Sequence, residues 1–103
     1  MGRIVEDNPG RSRFELRVDG ELVGWADYRP GGESVIVAHT EIDERREGEG
    51  LGSELIRGML DRIRASGATV IPTCPFTAAY IERHPEYVDL VDPSLRGRFL
   101  SST

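Results

Sequence analysis

Cysteine is almost missing from this chain: among 103 residues there is one, Cys74. A single cysteine excludes an internal disulfide framework and suits a reducing, cytoplasmic setting. Together with two histidines and scattered carboxylates, it shows no spacing typical of a zinc site, so no metal is expected. No apolar run approaches the ~20 residues that span a bilayer, and the charged start lacks the pattern of a signal peptide, so no membrane partner is expected. Basic charge is scarce as well, with 13 basic against 18 acidic residues and a net charge of −5. The basic residues that lie near one another (Arg45 with Arg46; Arg57 with Arg62 and Arg64; Arg96 with Arg98) are interleaved with acids, which argues against nucleic acid or an anionic membrane surface. There is no repeat, low-complexity tract or linker. What remains, 38% apolar and 30% charged, describes one small domain over residues 1–103 with a single core.

The first half reads as strands. "RIVEDNPG" is a short strand ending at the Asn8-Pro9-Gly10 turn. "RFELRV" alternates, with Phe14, Leu16 and Val18 on one face. Asp19-Gly20 is a tight hairpin turn into "ELVGWADYR", and Pro30-Gly31-Gly32 breaks the chain before "SVIVAHTEI". Val35, Ile36 and Val37, β-branched and consecutive, predict a strand covered on both faces. From Gly50 the period changes: Leu51, Leu55, Ile56, Met59, Leu60 and Ile63 fall on one side of a helix, with Glu54, Arg57, Asp61 and Arg64 on the solvated side. Gly67 is a left-handed stop. "ATVIPTC" follows as a strand, "PFTAAYIERHP" as a short helix with Pro75 in its first turn, and "EYVDLV" as a final strand. The helix between "SVIVAHTEI" and "ATVIPTC" makes those two strands parallel neighbours. The expected class is α+β with a mixed sheet.

The loop "EGEGLGS", Glu47 to Ser53, lies where open sheets bind ligands. The first N–H groups of the following helix lack internal partners and carry partial positive charge, which suits an anion. Gly48, Gly50 and Gly52 let the backbone approach a phosphate closely, and Ser53 offers a hydroxyl as donor or cap. The loop lacks the Gly-Lys-Ser/Thr ending of a P-loop and is too compact for a dinucleotide fingerprint. A mobile glycine turn before a helix is the plainer alternative.

"EGEGLGSELI" resembles the acetyl-CoA pyrophosphate loop of the GNAT superfamily of N-acetyltransferases, whose motif is Gln/Arg-x-x-Gly-x-Gly/Ala. Aligned on the helix start, Gly50 and Gly52 take the glycine positions and Glu47 stands where Gln or Arg is usual. A shifted register would use Arg45, Gly48 and Gly50, but the helix would then begin two residues late. The resemblance covers about Val35 to Val91. It is nearest to a small branch with His39-Thr40, Glu47 to Gly50, Cys74-Pro75-Phe76 and His84 to Tyr87. It implies a compact GNAT-like mixed sheet, antiparallel strands followed by a parallel strand-helix-strand unit, with the first two GNAT helices missing. It also implies acetyl-CoA as co-substrate, its pantetheine arm along Thr40, Glu41 and Ile42, and its phosphates at Glu47, Gly48, Glu49, Gly50, Leu51, Gly52 and Ser53. The thiol end would lie near Cys74.

Cys74 precedes a helix start, where the dipole favours a thiolate that can take an acetyl group and pass it on. A buried small hydrophobe is the alternative. His39 is a candidate base for the thiol or the incoming amine, and Tyr80 resembles the tyrosine that many GNAT enzymes place near the CoA sulfur. Each is also explained by packing or a structural hydrogen bond, as are His84, Tyr87, Trp25 and Tyr28. Larger GNAT enzymes wall the acceptor site with two helices; here only Asp7 to Ser12 stands in their place, too short for one stable helix. The expectation is an N-acetyltransferase with an open acceptor side, suited to a large or peptide-like amine. The alternative is a non-catalytic acetyl-CoA-binding module.

Overall fold

A computed structural model gives the fold and describes residues 2–46 and 48–100. Five strands form one sheet in the order β1-β2-β3-β4-β5. They are β1 (Arg3–Asn8), β2 (Arg13–Val18), β3 (Glu21–Gly31), β4 (Ser34–Ile42) and β5 (Thr69–Pro72). The first four are antiparallel neighbours, and β5 runs parallel to β4. Asp19 and Gly20 both have positive φ, 51° and 88°, which is the twist that a two-residue hairpin loop needs. Between β1 and β2 the chain makes only a short turn, closed by the Arg11 N–H donating to Asn8 C=O at 3.1 Å.

Helix α1 (Leu51–Ser66) links β4 to β5 and packs across one face of the sheet. Its Leu51, Leu55, Ile56, Met59, Leu60 and Ile63 are each at most 2% exposed and meet Phe14, Leu16, Ala26, Val37 and Val70 in the core. Burial of one such side chain contributes about 1.5–3 kcal/mol. The helix ends where Gly67 turns left-handed and donates its N–H to Arg64 C=O at 3.1 Å.

The opposite face is open to solvent over the antiparallel strands and carries charge. Glu15, 3% exposed, is wrapped by Asn8, Arg13 and Arg17 at 3.0, 2.8 and 3.2 Å. The Arg13 guanidinium lies over the Trp25 ring. The coverage of β4 expected on both faces therefore holds only in part: Val37 is fully buried, whereas Val35 and Ile36 are half-buried.

A second correction concerns "EYVDLV". After α2 (Pro75–Arg83), residues Pro85–Leu90 form a 3-10 helix, and within "EYVDLV" only Val91 pairs with the sheet, through a single bridge to Val70. The buried residues Tyr87, Val88, Leu90 and Val91, with Glu86 and Asp89 exposed, follow a period of three. That is the period of a 3-10 turn, not a strand. The short α3 (Gly97–Leu100) follows. Among the described residues, no helix is long and apolar enough to cross a membrane.

The feature that positions the site is where β4 and β5 part. Their pairing ends at Val37↔Pro72, although β4 continues to Ile42. Pro72 brings no N–H to extend the ladder, and on the other edge of β4 a bulge at Ala38 separates the Val37↔Tyr28 and His39↔Asp27 pairs. The chain after β5 turns off at once: the Thr73 hydroxyl and the Cys74 N–H both donate to Val37 C=O, at 2.9 and 3.1 Å. The last five residues of β4 thus have no strand on their β5 side among the described residues, and a cleft opens there.

Candidate functional site

Cys74 is the N-cap residue of α2 and stands where β4 and β5 part, 5% exposed. Successive side chains on a strand point to opposite faces. Thr40 turns toward α1 and α2 and brings its hydroxyl within 3.7 Å of the Cys74 sulfur. His39 and Glu41 turn to the open face, where their side chains pair at 3.2 Å and are largely exposed. The structure therefore joins Cys74 to Thr40 and separates it from His39 by the strand itself.

The electrostatics at the sulfur run in two directions. Burial pushes the thiol up. The Thr77 N–H, the Thr40 hydroxyl, the Phe76 N–H and the Thr77 hydroxyl push it down, and the net direction is below the ordinary value. The sulfur closes no cap hydrogen bond of normal geometry; the two first-turn N–H groups act on it as oriented dipoles. The Thr77 side chain is fully buried, and its hydroxyl oxygen makes no hydrogen bond of proper geometry.

Toward the other end, the cleft widens into a hollow of about 270 Å³ lined by Ile42, Arg46, Gly48, Gly50, Leu51, Gly52, Ser53 and Phe76. Gly48 and Gly50 have φ of 89° and 74°, and a Cβ on either would meet no atom within 4 Å. They leave open space at the start of α1. A Cβ on Gly52 would instead lie 2.7 Å from the Phe76 ring, so this glycine lets the two helix starts approach. Gly50 is the N-cap of α1, no side chain caps the helix, and its first bond is Glu54 N–H to Gly50 C=O at 3.2 Å. Ser53 is exposed on the rim and does not cap. The N–H groups of the first turn are thus left to face the hollow.

One lining residue is absent from the sequence-based set. Arg46 ends a 3-10 turn (Glu44–Arg46), and its Nη1 is buried without a hydrogen-bond partner among the described residues. An arginine inside "DERREGEG" has no distinguishing pattern, so only the fold marks it. Glu49 lies beside it with a half-exposed side chain, 4.0 Å away. Glu47 lies outside the described residues.

Tyr80 occupies a neighbouring space. It is 4% exposed, stacks on His84 at 4.1 Å between ring centres, and borders a hollow of about 540 Å³ with Gly50, Ser53, Glu54, Arg57, His84, Glu86 and Tyr87. Burial raises its phenol above the ordinary range. Tyr87 donates to Asp61 at 2.7 Å, Tyr28 donates to Asp7 at 2.6 Å, and both serve packing. Among the described residues, no group of three metal-ligating side chains comes together.

Residues 13–90 match the family described as GCN5-related N-acetyl-transferase. The fold is similar to the NMR structure of a GCN5-like putative N-acetyltransferase from Staphylococcus aureus, with TM-score 0.64 and 18% identity, covering 85% of this chain and 86% of that one. It is similar to a GNAT family acetyltransferase from Brucella melitensis solved with acetyl-CoA, with TM-score 0.52 and 21% identity, covering 66% of this chain and 50% of that one. A third likeness is to N-acetylglutamate synthase from Neisseria gonorrhoeae, complexed with coenzyme A and N-acetyl-glutamate, with TM-score 0.51 and 17% identity, over 97% of this chain and 26% of that one. No curated protein sequence matches the chain.

Proposed function

The chain belongs to the GCN5-related N-acetyltransferase family, and from that premise we propose that it transfers an acetyl group from acetyl-CoA to an amine. The observation that carries this reading is the open space that left-handed Gly48 and Gly50 leave at the uncapped start of α1. Among the described residues, Thr77 Oγ1, beside Cys74, and Arg46 Nη1, on a residue that lines the glycine hollow, have no hydrogen-bond partner. Buried polar groups are rarely left unpaired without a reason. The open space at Gly48 and Gly50, beside the uncapped start of α1, fits a diphosphate. The β5-side edge of Thr40, Glu41 and Ile42 supplies backbone groups for the arm between, while the side chain of Glu41 faces away from it.

In this reading the Cys74 thiolate attacks the thioester carbonyl carbon, the bond to the CoA sulfur breaks, and CoA leaves as its thiolate. The acceptor nitrogen then attacks the acetyl-cysteine, and Cys74 departs as the thiolate. The acceptor approaches from the open face, where His39, held by Glu41, takes the nitrogen's proton. His39 serves the amine and not the thiol. Tyr80 lies in the adjacent hollow, which shares Gly50 and Ser53 with the glycine hollow, and is kept as a candidate hydrogen-bond donor. With only a short turn between β1 and β2, the acceptor side has few walls, which favours a peptide-like or protein amine.

The chain contains no lysine, all 13 basic residues being arginine, so it offers no ε-amine of its own to acetylate. Intact mass after incubation with acetyl-CoA should therefore show a +~42 Da adduct on the wild type, absent in Cys74→Ala and released by hydroxylamine. No adduct, with amine acetylation unaffected in Cys74→Ala, sinks the covalent route and leaves direct transfer. CoA binding without acetyl transfer to Cys74 or to any amine makes the chain a binding module.

A further inference from the structure

The geometry points to Arg46 as the residue that holds the diphosphate of CoA, an inference that rests on the acetyl-CoA reading. A diphosphate at the start of α1 enters a loop rich in carboxylates: Asp43, Glu44, Glu47 and Glu49 lie within seven residues. Backbone N–H groups carry only partial charge, so an anion held among these acids needs a full cation. The nearby arginines differ in their availability. Arg45 is clamped by Asp43 through two contacts at 3.2 and 3.0 Å, and its side chain is 82% exposed. Arg57 is held by Glu54 at 2.8 Å on the solvated side of α1. Arg46 alone among them lines the glycine hollow.

Its state is also distinctive. The Arg46 N–H donates to Asp43 C=O at 2.9 Å, which fixes the 3-10 turn and thereby the direction of the side chain. Nη1 is buried and hydrogen-bonds to nothing described, and Glu49 Oε1, at 4.0 Å, is too distant for a hydrogen bond. The side chain as a whole is 28% exposed and lines the hollow, so the guanidinium N–H groups on its exposed side can meet a phosphate oxygen there. Arginine suits that task because its planar fork pairs two donors with one phosphate group. Arg46 thus supplies the charge that the resembling motif takes from the next position, occupied here by Glu47.

The test is the dissociation constant of CoA for wild type, Arg46→Gln, Arg46→Lys and Arg45→Gln, with melting curves for each. Loss of a charge-assisted hydrogen bond raises Kd roughly tenfold to a hundredfold. Arg46→Gln should show that loss and a weaker salt dependence of binding, with its melting temperature unchanged. Arg46→Lys should recover part of the affinity, and Arg45→Gln should bind as wild type does. Arg46→Gln binding CoA within twofold of wild type, or Arg45→Gln losing as much, overturns the assignment while acetyl-CoA binding stands. Failure of the wild type to bind CoA overturns both.

Discussion

Gly50 joins stability to binding, and its replacement separates the two. Its φ of 74° and ψ of 18° lie in the left-handed region, which costs a residue bearing a Cβ about 1–2 kcal/mol. No atom lies within 4 Å of the position a Cβ would take, so Gly50→Ala adds strain without a clash. Against this, the unfolded chain loses freedom when glycine becomes alanine, which favours folding by about 0.4–1 kcal/mol. The difference predicts a net destabilisation near 0.5–1 kcal/mol, a fall in melting temperature of about 2–8 °C for a domain of this size. Gly50→Asn should lose less, because asparagine tolerates the left-handed region. Binding should respond differently: either side chain enters the shared rim of the two hollows, and both variants should bind acetyl-CoA at least about tenfold more weakly, a loss of ~1.4 kcal/mol. Urea titration and calorimetry on the same samples read both quantities. An alanine variant as stable as wild type would refute the backbone argument. An asparagine variant that binds acetyl-CoA like wild type would refute the loop assignment.

Two further outcomes follow from side-chain electrostatics. Thr40→Val removes a donor from the Cys74 sulfur, so the thiol should rise and iodoacetamide alkylation should shift to higher pH; an unmoved profile would show that the hydroxyl does not stabilise the thiolate. At Glu15, burial pushes the carboxyl up, but the hydrogen bonds of Arg13 and Asn8 and the charges of Arg13 and Arg17 outweigh it and leave it below its ordinary value. A depressed carboxyl stabilises the fold above its unfolded pKa of about 4.3 and loses that contribution as pH falls through the folded value. Glu15→Gln should cost about 1–3 kcal/mol at neutral pH, and the gap between its urea midpoint and that of wild type should narrow progressively as pH falls below about 4. A gap that keeps its size as pH falls contradicts the ion-pair account.

Elements set by local pattern were legible. The six apolar positions of α1, the glycine stop at Gly67 and the Asp19-Gly20 hairpin each follow from a few neighbouring residues, and each stands where its pattern puts it. "EYVDLV" was misleading because its β-branched and aromatic residues suit a strand, whereas Pro85 and the burial of Tyr87, Val88 and Leu90 select a 3-10 turn. The candidate site was legible only where one segment lines it, in the glycine loop. Thr40 and Cys74 meet across 34 positions of sequence, and the orientation of Arg46 depends on a turn with no signature. The separation of His39 from Cys74 was readable in principle from strand alternation once Thr40 is known to face the sulfur.

The carbonyl of Val37 receives both the Thr73 hydroxyl and the Cys74 N–H, and this makes the sulfur a passenger of β4. Thr40 rides on the same strand three residues further on. Any breathing of the domain then carries the Cys74 sulfur and the Thr40 hydroxyl together, with their spacing preserved. Compliance is left to the opposite end, where left-handed glycines and the Phe76–Gly52 contact form the boundary. Entry and exit of a long, flexible ligand would be governed there, by a glycine-lined mouth in front of the strand-anchored Cys74 and Thr40, so substitutions at the mouth should alter exchange rates first.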